Sequence, residues 1–344
     1  MDKRIRIAVM GCGGIAKEAH LGSLQVIPGA KLVALADPNA EALAAAGEAW
    51  NVPADRRFPG VDELLASGLA EAAVVCTPAA THAAVADACF AGGLHVFVEK
   101  PLATTVADGE SMVAAAAAAG KQLAVGHYLR FMPHHRRIRD WARDGKLGKV
   151  FSATAHEETL GIKPEEGIIT DLAPHYIDLM NFYFAPREAT RVRAWTGRAN
   201  ARGPEDRETE AEITIEYGED LSARVEVYWT PGFGNWDACE RRIRVVGSKG
   251  WIRTGMTSSE TEAYRSGSLV NRMRGPYRVV PKFVMHPDMP IKGTAFRKEL
   301  EAFLEAVRTG CPAEGIDGKE ALKTVKIVEA ALKSAQMGGA GVAP

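Results

Sequence analysis

One stretch near the start narrows the choice of fold more than any other. Arg4-Ile-Arg-Ile-Ala-Val-Met10 is apolar and β-branched, and it runs straight into Gly11-Cys12-Gly13-Gly14-Ile15-Ala16. A strand of this kind must turn sharply at the first glycine. The second glycine leaves the backbone open to close approach, and the small Ala16 lets the next helix pack down on the strand. A second apolar run, Lys31-Leu-Val-Ala-Leu-Ala-Asp37, ends on an acid 21 residues beyond Ala16. An ordinary βα turn accounts for the glycines but not for that acid. Strand, glycine loop, helix, strand and terminal carboxylate together form a dinucleotide-binding arrangement, in which a helix N-terminus faces phosphates and the carboxylate takes ribose hydroxyls. Gly11, Cys12, Gly13, Gly14, Ile15, Ala16 and Asp37 are the first cofactor-binding candidates. Asp37 repels a 2′-phosphate, and it is followed by Pro38 and Asn39 rather than an arginine. That favours NAD, with NADP as the alternative.

Short, fully apolar runs recur at 72–76 and 94–98, and another lies at 122–125, with helical stretches between them. Strands that read apolar on both faces belong to a parallel sheet covered on both sides. The alanine run at 114–119 is a crossover helix closed by Gly120, since alanine has the highest helix propensity. Residues 1–125 therefore read as a Rossmann dinucleotide-binding domain. The texture then changes. Arg191–Trp195, Glu212–Tyr217, Arg224–Tyr228 and Arg242–Val246 alternate apolar and polar, and 217–221 reads as a hairpin turn. Period-2 alternation gives a sheet with one packed face and one open face. Helices are expected at 132–144, 172–184, 294–309 and 318–336. Residues 126–344 thus form an α+β domain around a mostly antiparallel sheet, and the fold class is α/β with this second, substrate-binding and oligomerising domain.

Composition excludes several function classes. The 47% apolar and 25% charged residues provide enough surface for a packed core, so a disordered chain is ruled out. A net charge of −1 gives no support to a nucleic-acid partner, and no uncharged apolar run approaches the ~20 residues a bilayer span needs. His134, His135, Arg136, Arg137 and Arg139 form a basic cluster, but on a helix they spread around the axis and are expected to be a solvated face. Five scattered cysteines without a CxxC pair argue against a disulfide framework and a thiolate zinc site. No HxH or HExxH spacing supports a metal. A cytoplasmic chain is expected.

The remaining site candidates fall where strands end. Thr77-Pro78 closes the 72–76 run, so it should face the ligand crevice, with His82 four residues beyond Pro78. Glu99-Lys100-Pro101 closes 94–98 in the same way. Further on, Asp171 and His175 are spaced i, i+4, which places both on one face of a helix. Pro174 suits a first helical turn, so Asp171 is expected near the N-cap.

These features together resemble the glucose–fructose oxidoreductase/inositol dehydrogenase/MocA (Gfo/Idh/MocA) family. The likeness spans essentially the whole chain: the GxGxxA turn, Asp37, Thr77-Pro78 with His82, Ala91 to Pro101, Gly126 to Phe131, Gly145 to Val150, and Asp171 to Asp178. It implies an NAD(P)-dependent oxidoreductase acting on a secondary alcohol or ketone of a sugar, cyclitol or related polyol. It also implies that Lys100, Asp171 and His175 surround the reacting carbon. His175, with an ordinary pKa near ~6.5, would exchange the hydroxyl proton, and Lys100 would stabilise the alkoxide. Cofactor contacts are expected from Thr77, Pro78, His82, Glu99 and Lys100, and substrate contacts from Lys100, Tyr128, Arg130, His156, Asp171 and His175. His127 and Glu157 are lesser candidates. Three departures from the family pattern blur the substrate: Ala173 for a frequent glycine, Tyr128 for a frequent asparagine, and a 161–167 loop without a glycine-rich run. An NAD-dependent glycosidase or a non-catalytic dinucleotide-binding regulator are the competing readings. A homodimer or homotetramer through the second sheet is expected, with Trp195, Tyr228 and Trp229 on its strands.

Overall fold

The computed structural model describes residues 4–159, 167–198, 208–229, 240–256, 261–265, 277–279 and 291–344. The chain divides into two compact units, Met1–Phe131 with Met285–Val325 and Met132–Val284 with Lys326–Pro344. No helix among the described residues is long and apolar enough to cross a membrane.

The first unit is built on a six-stranded parallel sheet. Its strands are β1 (Ile5–Met10), β2 (Ala30–Ala36), β3 (Arg57–Phe58), β4 (Ala72–Val75), β5 (His95–Val98) and β6 (Leu123–Val125), in the order β3-β2-β1-β4-β5-β6. Five of these fall within two residues of the expected runs; the two-residue β3 has no periodicity to reveal it. Helices α1 (Leu21–Val26), α2 (Ala40–Ala49), α3 (Val61–Ala66), α4 (His82–Ala91) and α5 (Val106–Ala119) make the crossovers. Local chemistry sets their ends. The Asn39 side chain accepts from the Ala42 amide to open α2, Thr105 caps α5 through the Asp108 amide, and Gly120 closes α5 in a left-handed turn. Ala8, Met10, Val75, Val96, Val98 and Met112 belong to its core, essentially sealed from water. The strand order reverses beside β1, so β1 and β4 diverge in their connections and leave a crevice at their carboxyl ends.

The second unit has an eight-stranded sheet. Its strands are β7 (Val150–Thr159), β8 (Arg191–Gly197), β9 (Glu210–Glu216), β10 (Ser222–Trp229), β11 (Arg241–Gly247), β12 (Gly250–Gly255), β13 (Thr261–Arg265) and β14 (Tyr277–Val279). They lie in the order β14-β13-β12-β11-β7-β10-β9-β8, antiparallel except where β10 runs parallel to β7. The 217–221 segment joins β9 to β10 as a hairpin, with Tyr217 N–H donating to Leu221 C=O at 2.8 Å. One face is apolar: Ala153, Ala155, Ile213, Ile215, Val225, Val227, Ile243 and Val245 are all buried. Helix α8 (Ala173–Phe184) packs on β10 from that side, after the short α7 (Ile168–Asp171). The other face carries alternating charges with Trp195, 53% exposed, and Trp251 between the guanidinium groups of Arg244 and Arg253.

Four local expectations change here. Trp229 points into the core, 1% exposed, because it neighbours Tyr228 on a strand and adjacent side chains face opposite ways. His134 and His135, at the start of α6 (Pro133–Arg143), are buried rather than solvated. Both ring Nε2 atoms meet the Met256 carbonyl, at 3.2 and 2.8 Å, and the Tyr183 hydroxyl meets His135 Nδ1 at 2.6 Å. Burial holds both imidazoles below their ordinary pKa, so they are neutral packing groups. Leu172, in a helical conformation, precedes α8 as its N-cap residue; Asp171 ends α7 instead. The fourth concerns the C-terminal helices α9 (Ile291–Thr309) and α10 (Gly318–Gln336). The whole of α9 and the first turns of α10 belong to the first unit, against a simple division at 125. An amphipathic helix shows which of its faces is apolar, not which sheet it will cover. Phe303 of α9 meets the ring of Phe97 on β5 at 5.8 Å, and the Val125 amide of β6 donates to the Ile316 carbonyl at 2.8 Å.

Candidate functional site

In the first unit the candidate residues gather at the carboxyl ends of β1, β2, β4 and β5. Gly11 has a φ of +90°, and a Cβ there would sit 2.6 Å from the Cys76 carbonyl oxygen, so glycine is required for β1 to lie beside β4. Gly13 is different: a Cβ on it would meet nothing within 4 Å. The chain then enters a helix that is π-wound over Ala16–His20. Asp37 at the end of β2 accepts from the Cys12 amide at 2.6 Å and from the Asn39 amide at 2.8 Å. This ties the carboxylate to the glycine loop. Cys12 is a buried thiol, its pKa pushed up to about 12 by burial and then by Asp37.

At the end of β4, Thr77 receives a hydrogen bond from the Thr81 hydroxyl at 2.9 Å. His82, 1% exposed, has Nε2 at 2.9 Å from the Thr77 carbonyl and Nδ1 at 2.8 Å from the Pro101 carbonyl. This ring links the β4 turn to the β5 turn through the main chain. Glu99 is likewise committed inward. One carboxylate oxygen meets His20 Nε2 at 2.6 Å and the other accepts the Lys100 amide at 3.0 Å. Burial alone would raise this carboxyl, but the hydrogen bonds from His20 and the Lys100 amide outweigh it and hold the group below the usual range. Lys100 itself is half-buried. Tyr128 stacks on Phe296 with ring centroids 4.4 Å apart, and the Arg130 guanidinium donates to the Gly315 carbonyl. Both are buried, and these contacts serve the packing of the first unit.

In the second unit Asp171 and His175 lie one helical turn apart across the α7–α8 junction. Asp171 is buried. Helix α8 is sealed over its whole length, with the single exception of His175. A helix buried all round is a core helix, and here one imidazole alone keeps access to solvent. His156 does not join them. It projects from the charged face of the sheet, where Nδ1 lies 3.1 Å from Glu226 and Nε2 3.5 Å from Glu158. Its neighbour Glu157 takes the inward position and pairs with Arg241 at 3.3 Å. The one-residue parity of a strand separates these two candidates. A pocket beside α7, bordered by Ile168, Thr170, Thr196, Glu208, Leu332 and Gln336, includes neither Asp171 nor His175. Pocket shape is expected to depend on the loops 157–168 and 230–240, of which residues 160–166 and 230–239 fall outside the described residues.

A doubly wound sheet with a glycine turn at its switch point, followed by a largely antiparallel α+β unit, defines the class of two-domain dinucleotide-dependent oxidoreductases. The sequence profile of the oxidoreductase family with an NAD-binding Rossmann fold matches residues 5–127, and that of the same family's C-terminal alpha/beta domain matches 143–343. The chain belongs to the Gfo/Idh/MocA oxidoreductase family. It is 27% identical over 327 residues to inositol 2-dehydrogenase 4 of Saccharopolyspora erythraea, covering 93% of this chain and 89% of that one. It is 31% identical over 208 residues to D-apiose dehydrogenase of Paraburkholderia graminis; that match spans 58% of this chain and little more than half, 54%, of the other. Among solved structures, GenD2 from gentamicin A biosynthesis in complex with NAD superposes with a TM-score of 0.82 at 26% identity, covering 100% of this chain and 97% of GenD2.

Proposed function

We propose that this protein is an NAD-dependent dehydrogenase or reductase acting on a secondary alcohol or ketone of a sugar, cyclitol or related polyol. The observation that carries the reading is the accessibility of His175 on an otherwise sealed helix, one turn from the buried Asp171. A histidine left partly open on a helix whose other residues are all buried is placed for chemistry rather than packing. The first unit fits the dinucleotide. The open approach at Gly13 leaves room for a pyrophosphate, and Asp37 stands at the glycine loop to accept ribose hydroxyls while repelling a 2′-phosphate. Bound there, the nicotinamide supplies hydride transfer. The chain's own groups do the rest. His175 takes the hydroxyl proton in oxidation and returns it in reduction, Asp171 orients the imidazole or a substrate hydroxyl, and Lys100 stabilises the developing alkoxide by charge and hydrogen bonding. The kinship with inositol and apiose dehydrogenases supports a polyol substrate.

The test is a reduced-nicotinamide absorbance screen with NAD and NADP across sugars, cyclitols and sugar acids. We expect turnover on at least one polyol, with NAD preferred. Nicotinamide binding with no turnover across the panel would leave a regulator as the better reading.

The charged face of the second sheet is proposed as the contact between subunits. Trp195 stands half-exposed among alternating arginines and glutamates, a surface that can pair with its own copy. Light scattering at micromolar concentration should give a dimer or tetramer, and Trp195→Glu should shift it toward monomer. A monomeric wild type would remove the proposal.

A further inference from the structure

Behind Lys100, inside the first unit, three ionisable side chains meet with almost no water. His20, Glu99 and Glu299 are 0%, 7% and 0% exposed, and one ligand-capable atom from each lies within 4.8 Å of the others. Two carboxylates this close in a dry site cannot both keep a full charge, so the pair holds a proton. Donor count decides which member carries it. Glu99 is held on both oxygens, one by His20 Nε2 and the other by the Lys100 amide, and with the imidazole proton on Nε2 both contacts favour an ionised acceptor. Neither oxygen of Glu299 has a hydrogen-bond partner among the described residues.

We propose that Glu299 is the neutral, proton-bearing member of a buried His20–Glu99–Glu299 triad, and that it acts through Glu99 as a positioning residue for Lys100. If Glu299 released its proton to solvent at alkaline pH, two charged carboxylates would face each other within 4.8 Å, and the repulsion would push Glu99 away from the Lys100 amide. The charge distribution agrees. Burial, and then Glu99, moves the Glu299 carboxyl well above its ordinary value, while Glu99 lies below its own. The other titratable groups facing the triad are Lys100 at the end of β5 and the Cys76 thiol after β4. Burial, with Glu99, Cys12 and Glu299, keeps Cys76 protonated. The lysine role rests on the function proposed above; the protonation state does not.

The experiment is equilibrium denaturant unfolding of the full chain between pH 6 and 8, wild type against Glu299→Gln. A carboxyl raised in the folded state binds a proton that the unfolded chain has released. Its contribution to stability therefore falls as pH rises from the unfolded pKa toward the folded one. The wild-type folding constant should fall as pH rises relative to Glu299→Gln, which removes that proton, by up to about ten-fold per pH unit while the folded carboxyl stays protonated. Parallel pH slopes would overturn the triad. Glu299→Met gives the same comparison if the amide variant does not fold. Wild-type kcat should fall on the alkaline side as Glu299 ionises and Glu299→Gln should flatten that fall, whereas Glu99→Gln should lower kcat with little change in KM for NAD. An alkaline limb unchanged in Glu299→Gln would overturn the positioning role. Stoichiometric zinc or manganese uptake by wild type but not Glu299→Gln would put a metal in place of the proton and overturn the proposal. The unfolding slopes need no turnover, so they stand or fall apart from the dehydrogenase reading.

Discussion

Lys100→Ala is expected to lower turnover by ~10²-fold or more while leaving NADH affinity close to wild type. The residue stands at the carboxyl end of β5, next to β4, where the sheet's order places a ligand crevice. Its amide is fixed by Glu99 at 3.0 Å, so the side chain starts from an anchored backbone. In the proposed mechanism, removing the ammonium deletes a preorganised charge from the oxygen that becomes an alkoxide, comparable to losing an oxyanion donor. A hundred-fold loss corresponds to about 2.7 kcal/mol of transition-state stabilisation. Nucleotide binding should survive, because the glycine turn and Asp37 belong to other strands. Lys100→Arg should recover only part of the rate, since a planar guanidinium does not reproduce a compact ammonium. Steady-state kinetics beside fluorescence titration with NADH separates the two quantities. Undiminished turnover in Lys100→Ala would remove the lysine from the mechanism.

Gly11→Ala should damage the fold itself. A methyl at this position would meet the Cys76 carbonyl oxygen at 2.6 Å and the Thr77 nitrogen at 2.9 Å, both main chain and neither able to swing aside. The φ of +90° adds backbone strain for any other residue. Together these should cost at least about 2 kcal/mol, and at ~2–4 °C per kcal/mol the Tm should drop by several degrees. Gly13→Ala is the informative partner. Its methyl enters open space, so stability should change by no more than about 0.5 kcal/mol. NAD affinity should nonetheless fall, because the pyrophosphate needs that space. Thermal melts and NAD titrations of both variants test the assignment. Equal Tm losses, or an unaltered NAD affinity in Gly13→Ala, would contradict it.

Much of this was legible in the sequence because it is local. Apolar runs marked β1, β2, β4, β5 and β6 within two residues, and alternation marked β8 to β11. Glycines and caps fixed where elements end. What escaped was decided by distant partners. His156 and Glu157 are adjacent, and only the register of β7 in its sheet determines which faces α8's side. The packing of His82 could not be read either, because its two carbonyl partners, Thr77 and Pro101, converge only in the fold. Glu299 was missed although a signal exists. It lies between Phe296 and Phe303 at helical spacing, an acid on an apolar stripe, and such an acid is neutral or paired. His20 sits similarly between Ala16 and Leu24.

The return of α9 to the first unit has a consequence for dissecting the protein. A gene fragment ending near residue 131 would encode every strand of the nucleotide-binding sheet, yet it would lack Phe296, Glu299 and Phe303. Phe97 and His20 would then be bared to water. Such a fragment should be recovered as aggregate rather than as a working nucleotide-binding module. Any chimera that exchanges this half with a relative must therefore transplant both pieces of chain at once.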